Sequence, residues 1–325
     1  MAESTLISWA RHTFNPWIGC TKVSNGERGA CANCYAENWG HRFGVAWGSG
    51  APRRRTSESN WRQPISWDRA AAKAGERPFV FCASLADILD NEVPIQWLAD
   101  VVDLARRTPN LIWLFLTKRA PLIIKRLREA LAHLGLTEMP KNIALGISVV
   151  TQEEAERDIP WLLRAKAALN PAFAFVSMEP LMEAVKLCID TGSEGWDFLS
   201  GGWYEREDPA TGPGAHHASG YGPKLDWVIT GGESGAHARP SHPDWFRSLR
   251  DQCQRAGTAF HFKQWGEWRW APDRAHFKEL TVEPWRRLGS GMPGVRPALM
   301  VREGKKRTGR ELDGRTWDEL PKVAA

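Results

Sequence analysis

An alternation of two patterns most constrains this chain. Short, continuously apolar, β-rich runs recur at Phe79–Cys82, 111–116, 143–147, 173–176, Trp227–Thr230 and 260–262. Such runs are what strands buried on both faces look like. Between them, apolar residues repeat at helical spacing over 95–107, 122–134, 153–169 and 245–256. Pro94, Pro121 and Pro243 stand at helix starts, where a missing N–H costs nothing, and Gly135 and Gly257 stand just past helix ends. Strand–helix alternation predicts a parallel sheet with right-handed crossovers. A further strand over 13–18 brings the total to six or seven units. The expected fold class is α/β, a partial or irregular (β/α) barrel over residues 1–270. A C-terminal extension over 271–325 packs on it. A doubly wound open sheet is the alternative. The length, 325 residues, suits one barrel with insertions.

Two segments break the rhythm and are read as loop insertions. One covers about 40–77, rich in Gly, Arg, Ser and Trp; the other covers about 190–225, rich in Gly and Pro and containing His216 and His217. Long loops inside a compact domain are usually functional or disordered. The first insertion holds Arg53, Arg54 and Arg55, followed by Arg62 and Arg69, among Trp47, Trp61 and Trp67. Cations interleaved with indoles can hold phosphates and stack bases. A solvated loop whose tryptophans pack on the barrel is equally open. A second basic cluster, Lys305, Lys306, Arg307 and Arg310, lies near the C-terminus, and the net charge of +5 hints at an anionic partner.

Hydrophobic residues make up 42% and charged residues 25%, as in ordinary soluble proteins. The opening residues carry an acid and no long apolar run, so neither a signal peptide nor a membrane span is expected, and the expected location is the cytoplasm. The six cysteines are read as ligand chemistry in a reducing compartment rather than as disulfides.

Three of those cysteines, Cys20, Cys31 and Cys34, share one segment, with ten residues between the first two and a CxxC pair after them. Cys82, Cys188 and Cys253 are isolated. A closed structural zinc site takes four ligands. A [4Fe–4S] cluster held by three thiolates keeps one iron open for a substrate or cofactor. Other readings stay open here: a zinc site completed by His41, three packed and unreactive thiols, or a redox CxxC.

In a barrel, chemistry collects at the C-terminal ends of the strands. Those ends carry Ser84 and Asp87; Thr117, Lys118 and Arg119; Ser148; Ser177 and Glu179; Glu233 and Ser234; and Lys263 and Gln264. Singly, each reads as a cap or an ion-pair partner. Together they predict a ring of hydroxyls, carboxylates and cations. The turn Gly231-Gly232-Glu233-Ser234-Gly235 either lets a ligand approach the backbone or is a tight turn before a helix. It is neither GxGxxG nor a P-loop, which argues against nicotinamide and nucleoside triphosphate binding.

The motifs together resemble the radical S-adenosylmethionine (SAM) superfamily, and within it a phage-associated, three-cysteine branch. The resemblance rests on Asn15-Pro16-Trp17-Ile18-Gly19-Cys20-Thr21-Lys22, Cys31-Ala32-Asn33-Cys34-Tyr35-Ala36-Glu37 and Leu116-Thr117-Lys118-Arg119. It rests also on Ser177-Met178-Glu179-Pro180, Ile229-Thr230-Gly231-Gly232-Glu233-Ser234-Gly235, Phe262-Lys263-Gln264-Trp265-Gly266 and Leu312-Asp313-Gly314-Arg315-Thr316-Trp317. It spans nearly the whole chain apart from the two insertions. The common CxxxCxxC spacing is not met.

The resemblance implies that Cys20, Cys31 and Cys34, in a cluster loop over 19–37, hold a [4Fe–4S] cluster whose fourth iron is chelated by SAM. One electron from an external donor then cleaves SAM to methionine and a 5′-deoxyadenosyl radical, which abstracts a substrate hydrogen. Ser84 and Asp87 are assigned to the SAM amino group, and Ser148 to its ribose or carboxylate. Glu179, Glu233, Lys118 and Lys263 are left to face substrate as catalytic residues. A phage setting would place the protein in the host cytoplasm. It points to a nucleotide or a hypermodified thymidine in DNA, altered by radical rearrangement (an isomerase) or other C–H functionalisation. The competing classes are a zinc-binding, non-catalytic nucleic-acid module and an electron-transfer iron–sulfur protein.

Overall fold

The computed structural model describes residues 5, 7–23, 26, 29–190, 194–205, 222–270, 279–282 and 298–323. The chain divides into two compact units. The first is Met1–Ser148 with Trp161–Phe175 and Lys322–Ala325; the second is Val149–Pro160 with Val176–Pro321.

The first unit runs β1 (His12–Thr13), β2 (Trp17–Ile18), α1 (Tyr35–Arg42), β3 (Arg54–Arg55), α2 (Glu58–Ala74), β4 (Phe79–Cys82), α3 (Ile95–Arg106), β5 (Ile112–Thr117), α4 (Ile123–His133) and β6 (Ile143–Ser148). Helix α5 (Gln152–Leu169) and strand β7 (Ala174–Met178) are divided between the units. The second unit continues with β8 (Cys188–Asp190), β9 (Glu194–Asp197), β10 (Trp203–Glu205), β11 (Trp227–Thr230), α6 (Pro243–Ala256), β12 (Ala259–Phe262), β13 (Trp268–Trp270), β14 (Glu279–Val282), β15 (Ala298–Arg302) and α7 (Lys305–Thr308). No helix among the described residues is long and apolar enough to cross a membrane.

One seven-stranded parallel sheet has the order β1-β4-β5-β6-β7-β11-β12. The order follows the chain without reversing, which is the winding of a (β/α) barrel. A doubly wound sheet reverses direction at a switch point. The α/β partial-barrel fold class is therefore correct. The strands are largely buried, as their continuous apolarity requires: Trp113, Phe115 and Phe175 in the first unit, and Trp227, Phe260 and Phe262 in the second, are all at most 1% exposed. Punctuation acts as expected at several helix ends. Pro94 is the N-cap of α3, Pro243 opens α6, and Gly135 and Gly257 adopt φ of 67° and 66° past α4 and α6.

Two expectations need correction. Residues 13–18 are not one strand: β1 joins the parallel sheet, whereas β2 pairs antiparallel with β3. Pro16 lacks an N–H and cannot continue a ladder, and the Asn15 side chain bonds Ser84 and Leu85 instead. The insertion at 40–77 is not mainly loop. It contains α2, 17 residues long, capped by Ser57 and closed by Gly75 at φ 67°. Within the second insertion, residues 206–221, with His216 and His217, lie outside the described residues. So do 271–278 and 283–297 of the C-terminal extension, whose described part forms β14, β15 and α7.

In the second unit the buried face of β12 carries a titrating group. His261 is 1% exposed, with Nε2 3.7 Å from Asp318. Burial pushes its pKa down to about 4; Asp318 opposes this, and Arg310 and Lys263 add to it. The folded value lies below the ordinary 6.5, so on acidification the unfolded chain takes up the proton first. This contribution is complete above about pH 6.5 and is lost as pH falls toward 4, amounting to about 3 kcal/mol across the window. Urea unfolding at pH 7.5 and 4.5 should show that loss, and His261→Gln should remove it. Equal pH dependence in the two proteins would contradict the assignment.

Candidate functional site

Strand β2 delivers the first cysteine. Gly19 takes a φ of 112°, which glycine adopts without strain, and its N–H donates to the Leu85 carbonyl at 3.2 Å. Cys20 follows, its carbonyl accepting from Gly48 N–H at 2.9 Å. Cys31 lies in the turn before α1, and Cys34 is the N-cap residue of that helix. Cys34 packs with Trp39 and Trp47 against Ile18, Ala36, Val45 and Leu85. All three thiols are free.

Two cations accompany these thiols. Lys22 pairs with Glu37 of α1 at 2.6 Å, and its charge acts on both Cys31 and Cys34. Arg119 Nη1 donates to Cys20 Sγ at 3.7 Å. Burial pushes the Cys20 thiol up to about 12; Asp87 adds to the rise and Arg119 opposes it. A ligand must be a thiolate, and at Cys20 the Arg119 guanidinium favours that form against the larger effect of burial. Among the described residues no group of three His, Cys, Asp or Glu side chains stands close enough to hold a metal ion. Three free thiols beside two cations are nonetheless the donor chemistry that a three-thiolate iron–sulfur site calls for. His41, the fourth ligand of the zinc alternative, is 62% exposed and sits 3.9 Å from Glu37.

The strand ends of the first unit bring several expected residues together. Ser84 exchanges hydrogen bonds with Asn15 at 3.0 and 3.3 Å and also meets the Tyr35 hydroxyl. Lys118 Nζ donates to Ser148 Oγ at 3.4 Å. Asp87, 6% exposed, accepts from Thr117 Oγ1 (2.6 Å) and Leu89 N–H (2.9 Å) on one oxygen. Its other oxygen takes Lys118 N–H (2.8 Å) and Arg119 Nη1 (3.0 Å). A carboxylate has about four lone-pair sites, so the donors already present fill Asp87. It fixes the end of β5 and has no capacity left for a SAM amino group.

In the second unit Lys263 Nζ lies 3.2 Å from Glu179, whose other oxygen accepts from Ser177 Oγ at 3.3 Å. Partial desolvation and then the repulsion of Lys263 lower the Lys305 amine, while Glu179 and Glu267 oppose the shift. Lys305 thus feels one neighbouring ammonium group and two carboxylates. Glu233 is engaged differently: Arg239 meets it with its backbone N–H (2.7 Å), Nε (2.8 Å) and Nη2 (2.7 Å). It pins the turn after β11. The glycines before it serve the chain's own packing. A Cβ on Gly232 would collide with the Trp265 carbonyl, and one on Gly231 would sit 3.0 Å from Glu179 Oε1.

The basic, Trp-rich insertion is largely spent on packing, which favours the second of its two readings. The Arg53 side chain is 2% exposed and pairs with Asp90 at 2.7 Å. Arg55 pairs with Asp100 at 2.8 Å and lies over the Trp61 ring at 4.1 Å. Trp67 is 4% exposed and stacks on His12 at 4.4 Å. Of the three arginines only Arg54 is exposed. Sequence reasoning gave no role to Arg119 or Arg53 beneath the cysteine segment, nor to Lys305 beside Lys263. The position of Arg119 directly after Lys118 was the one available signal.

Fold and site define an α/β protein with a sequentially wound parallel sheet and a three-cysteine segment leading into its first helix. The chain belongs to the family described as protein of unknown function (DUF5131), which matches residues 4–321. No curated protein matches it. Among solved structures it is similar to a spore photoproduct lyase double mutant with bound AdoMet and dinucleoside spore photoproduct. That match has 12% identity and a TM-score of 0.43, covering 93% of this chain and 71% of that one. It is also similar to spore photoproduct lyase complexed with dinucleoside spore photoproduct, at 13% identity and a TM-score of 0.42, covering 92% and 71%.

Proposed function

We propose that this chain is a radical SAM enzyme whose cluster is held by Cys20, Cys31 and Cys34. The observation that carries the reading is the set of three free thiols in one segment, with an Arg119 N–H aimed at the sulfur of Cys20. Once bound and reduced by an external electron donor, a [4Fe–4S] cluster and SAM supply hydrogen abstraction by a carbon-centred radical. The chain supplies the rest. Ser84 and Ser148 bind the polar groups of SAM. Asp87 holds Lys118 and Arg119 in place and does not bind SAM itself. Glu179 and Lys263 face substrate, and Lys305 adds a second positive charge beside them. Glu233 fixes the turn that carries Ser234.

Lys263 and Lys305 are the cations proposed to meet the phosphate of the substrate, a nucleotide or a modified thymidine in DNA. Rearrangement or other C–H functionalisation is the proposed reaction class. Anaerobic purification tests the reading. Iron with acid-labile sulfide, and 5′-deoxyadenosine released from SAM under reduction, are the expected results. One zinc per chain and no SAM cleavage would replace the enzyme with a zinc-binding module.

A further inference from the structure

Beneath the cysteine segment lies a buried ionic network that binding of SAM does not require. Arg119 Nη1 lies 3.0 Å from Asp87, and Nη2 lies 3.6 Å from Asp90. Asp90 in turn holds Arg53 Nε at 2.7 Å. The side chains are 5% (Arg119), 6% (Asp87), 0% (Asp90) and 2% (Arg53) exposed. Both guanidinium groups converge on the residue after Cys20. Arg119 Nη2 donates to the Thr21 carbonyl at 2.9 Å, and Arg53 Nη2 donates to Thr21 Oγ1 at 2.7 Å. The remaining reach of Arg119 goes to Cys20 Sγ.

Burying charges in this way is costly and is weak evidence for stability as such. What the network achieves is a fixed direction. Asp87 and Asp90 hold the planar fork of Arg119 so that one N–H faces the sulfur. Lys22, the other cation near the thiols, differs in kind: it is 31% exposed and spent on Glu37.

We propose that Arg119 is a positioning residue that presents Cys20 to the cluster and raises the cluster's reduction potential through its hydrogen bond to that sulfur. The inference rests on the three-cysteine reading above. Reduction adds one electron, and so one negative charge, to a cluster bonded through Cys20. A donor aimed at the ligating sulfur stabilises the more negative state, and hydrogen bonds to sulfur are among the determinants of such potentials. Glu92 also lies 3.4 Å from Arg53, so two guanidinium groups face three carboxylates, and the effect comes from the direction of the Arg119 N–H and not from net positive charge. Lysine cannot replace the fork. A single ammonium group does not reach Asp87, the Thr21 carbonyl and Cys20 Sγ together.

The test is a dithionite titration of the iron-loaded full chain, followed by electron paramagnetic resonance. Four proteins are compared: wild type, Asp87→Asn, Arg119→Lys, and the double variant Arg119→Met with Asp87→Asn. The double variant leaves no uncompensated charge from that pair, and Asp90 keeps Arg53. At iron content equal to wild type, the potential should move to more negative values in Arg119→Lys. It should move further in the double variant than in Asp87→Asn alone. Loss of iron from a folded double variant, with iron retained in Asp87→Asn, would equally support positioning. If the double variant does not fold, Arg119→Lys decides alone. Folded, iron-loaded Arg119 variants that titrate at the wild-type potential overturn the inference and leave the cluster assignment standing. A wild-type chain that takes up no iron overturns the cluster assignment instead.

Discussion

Replacing Cys20, Cys31 or Cys34 by Ala, one at a time, is expected to take bound iron from about four per chain to none, since a three-thiolate [4Fe–4S] site has no ligand to spare. The expected contrast is with Cys82, Cys188 and Cys253. Cys82 is fully buried in β4, and burial raises its thiol well above the ordinary range. Cys253 lies fully buried in α6, and burial raises its thiol in the same way, with Glu319 adding to the rise. Burial raises the Cys20 thiol as well, but the Arg119 N–H at its sulfur opposes that rise, whereas Glu319 adds to the rise at Cys253; Cys188 lies in β8 of the second unit. Their Ala variants should keep the iron, at the cost of a small cavity at the two buried sites. Iron retained in the first set and lost in the second would show that the ligands were wrongly chosen.

Arg53→Met should be the most destabilising change in the first insertion, by about 3–5 kcal/mol, because it leaves the Asp90 carboxylate, 0% exposed, without its closest cation. The same change removes donors to the Gly48 and Ala51 carbonyls and to Thr21. It therefore loosens both sides of the cysteine segment at once. Arg54→Met, at an exposed neighbour, should fall within about 0.5 kcal/mol of wild type. Urea unfolding of the two variants measures the difference. Similar midpoints would mean that Asp90 finds compensation elsewhere, and the network would lose its claim to shape the segment.

The contrast within Arg53-Arg54-Arg55 shows where sequence reading stops. Three identical side chains in a row look like one basic patch. β3 sends its neighbours to opposite faces, and partners far along the chain, Asp90 and Asp100, decide the rest. Helix α2 was hidden for a related reason. Its buried residues are Asn60, Pro64, Trp67 and Ala71. The spacing is helical, but an asparagine and a proline occupy positions where aliphatic residues usually announce a helix.

The parallel strands were legible because residues buried on both faces leave an unbroken apolar run, and Pro and Gly mark the helix ends. Of the site, the polar strand ends were legible as positions. What each side chain holds was not. Asp87 reads as free until its donors from residues 89, 117, 118 and 119 are seen together, and Glu233 reads as free until Arg239 folds back on it.

The central claim is that three thiolates hold a cluster with one iron left for SAM. The most direct measurement is the electron paramagnetic resonance spectrum of the anaerobically reconstituted, reduced protein, recorded with and without SAM. A [4Fe–4S] signal that changes when SAM is added is the predicted result, because the open iron gains new ligands. A cluster signal that is the same in both samples, or no cluster signal at all, would contradict it.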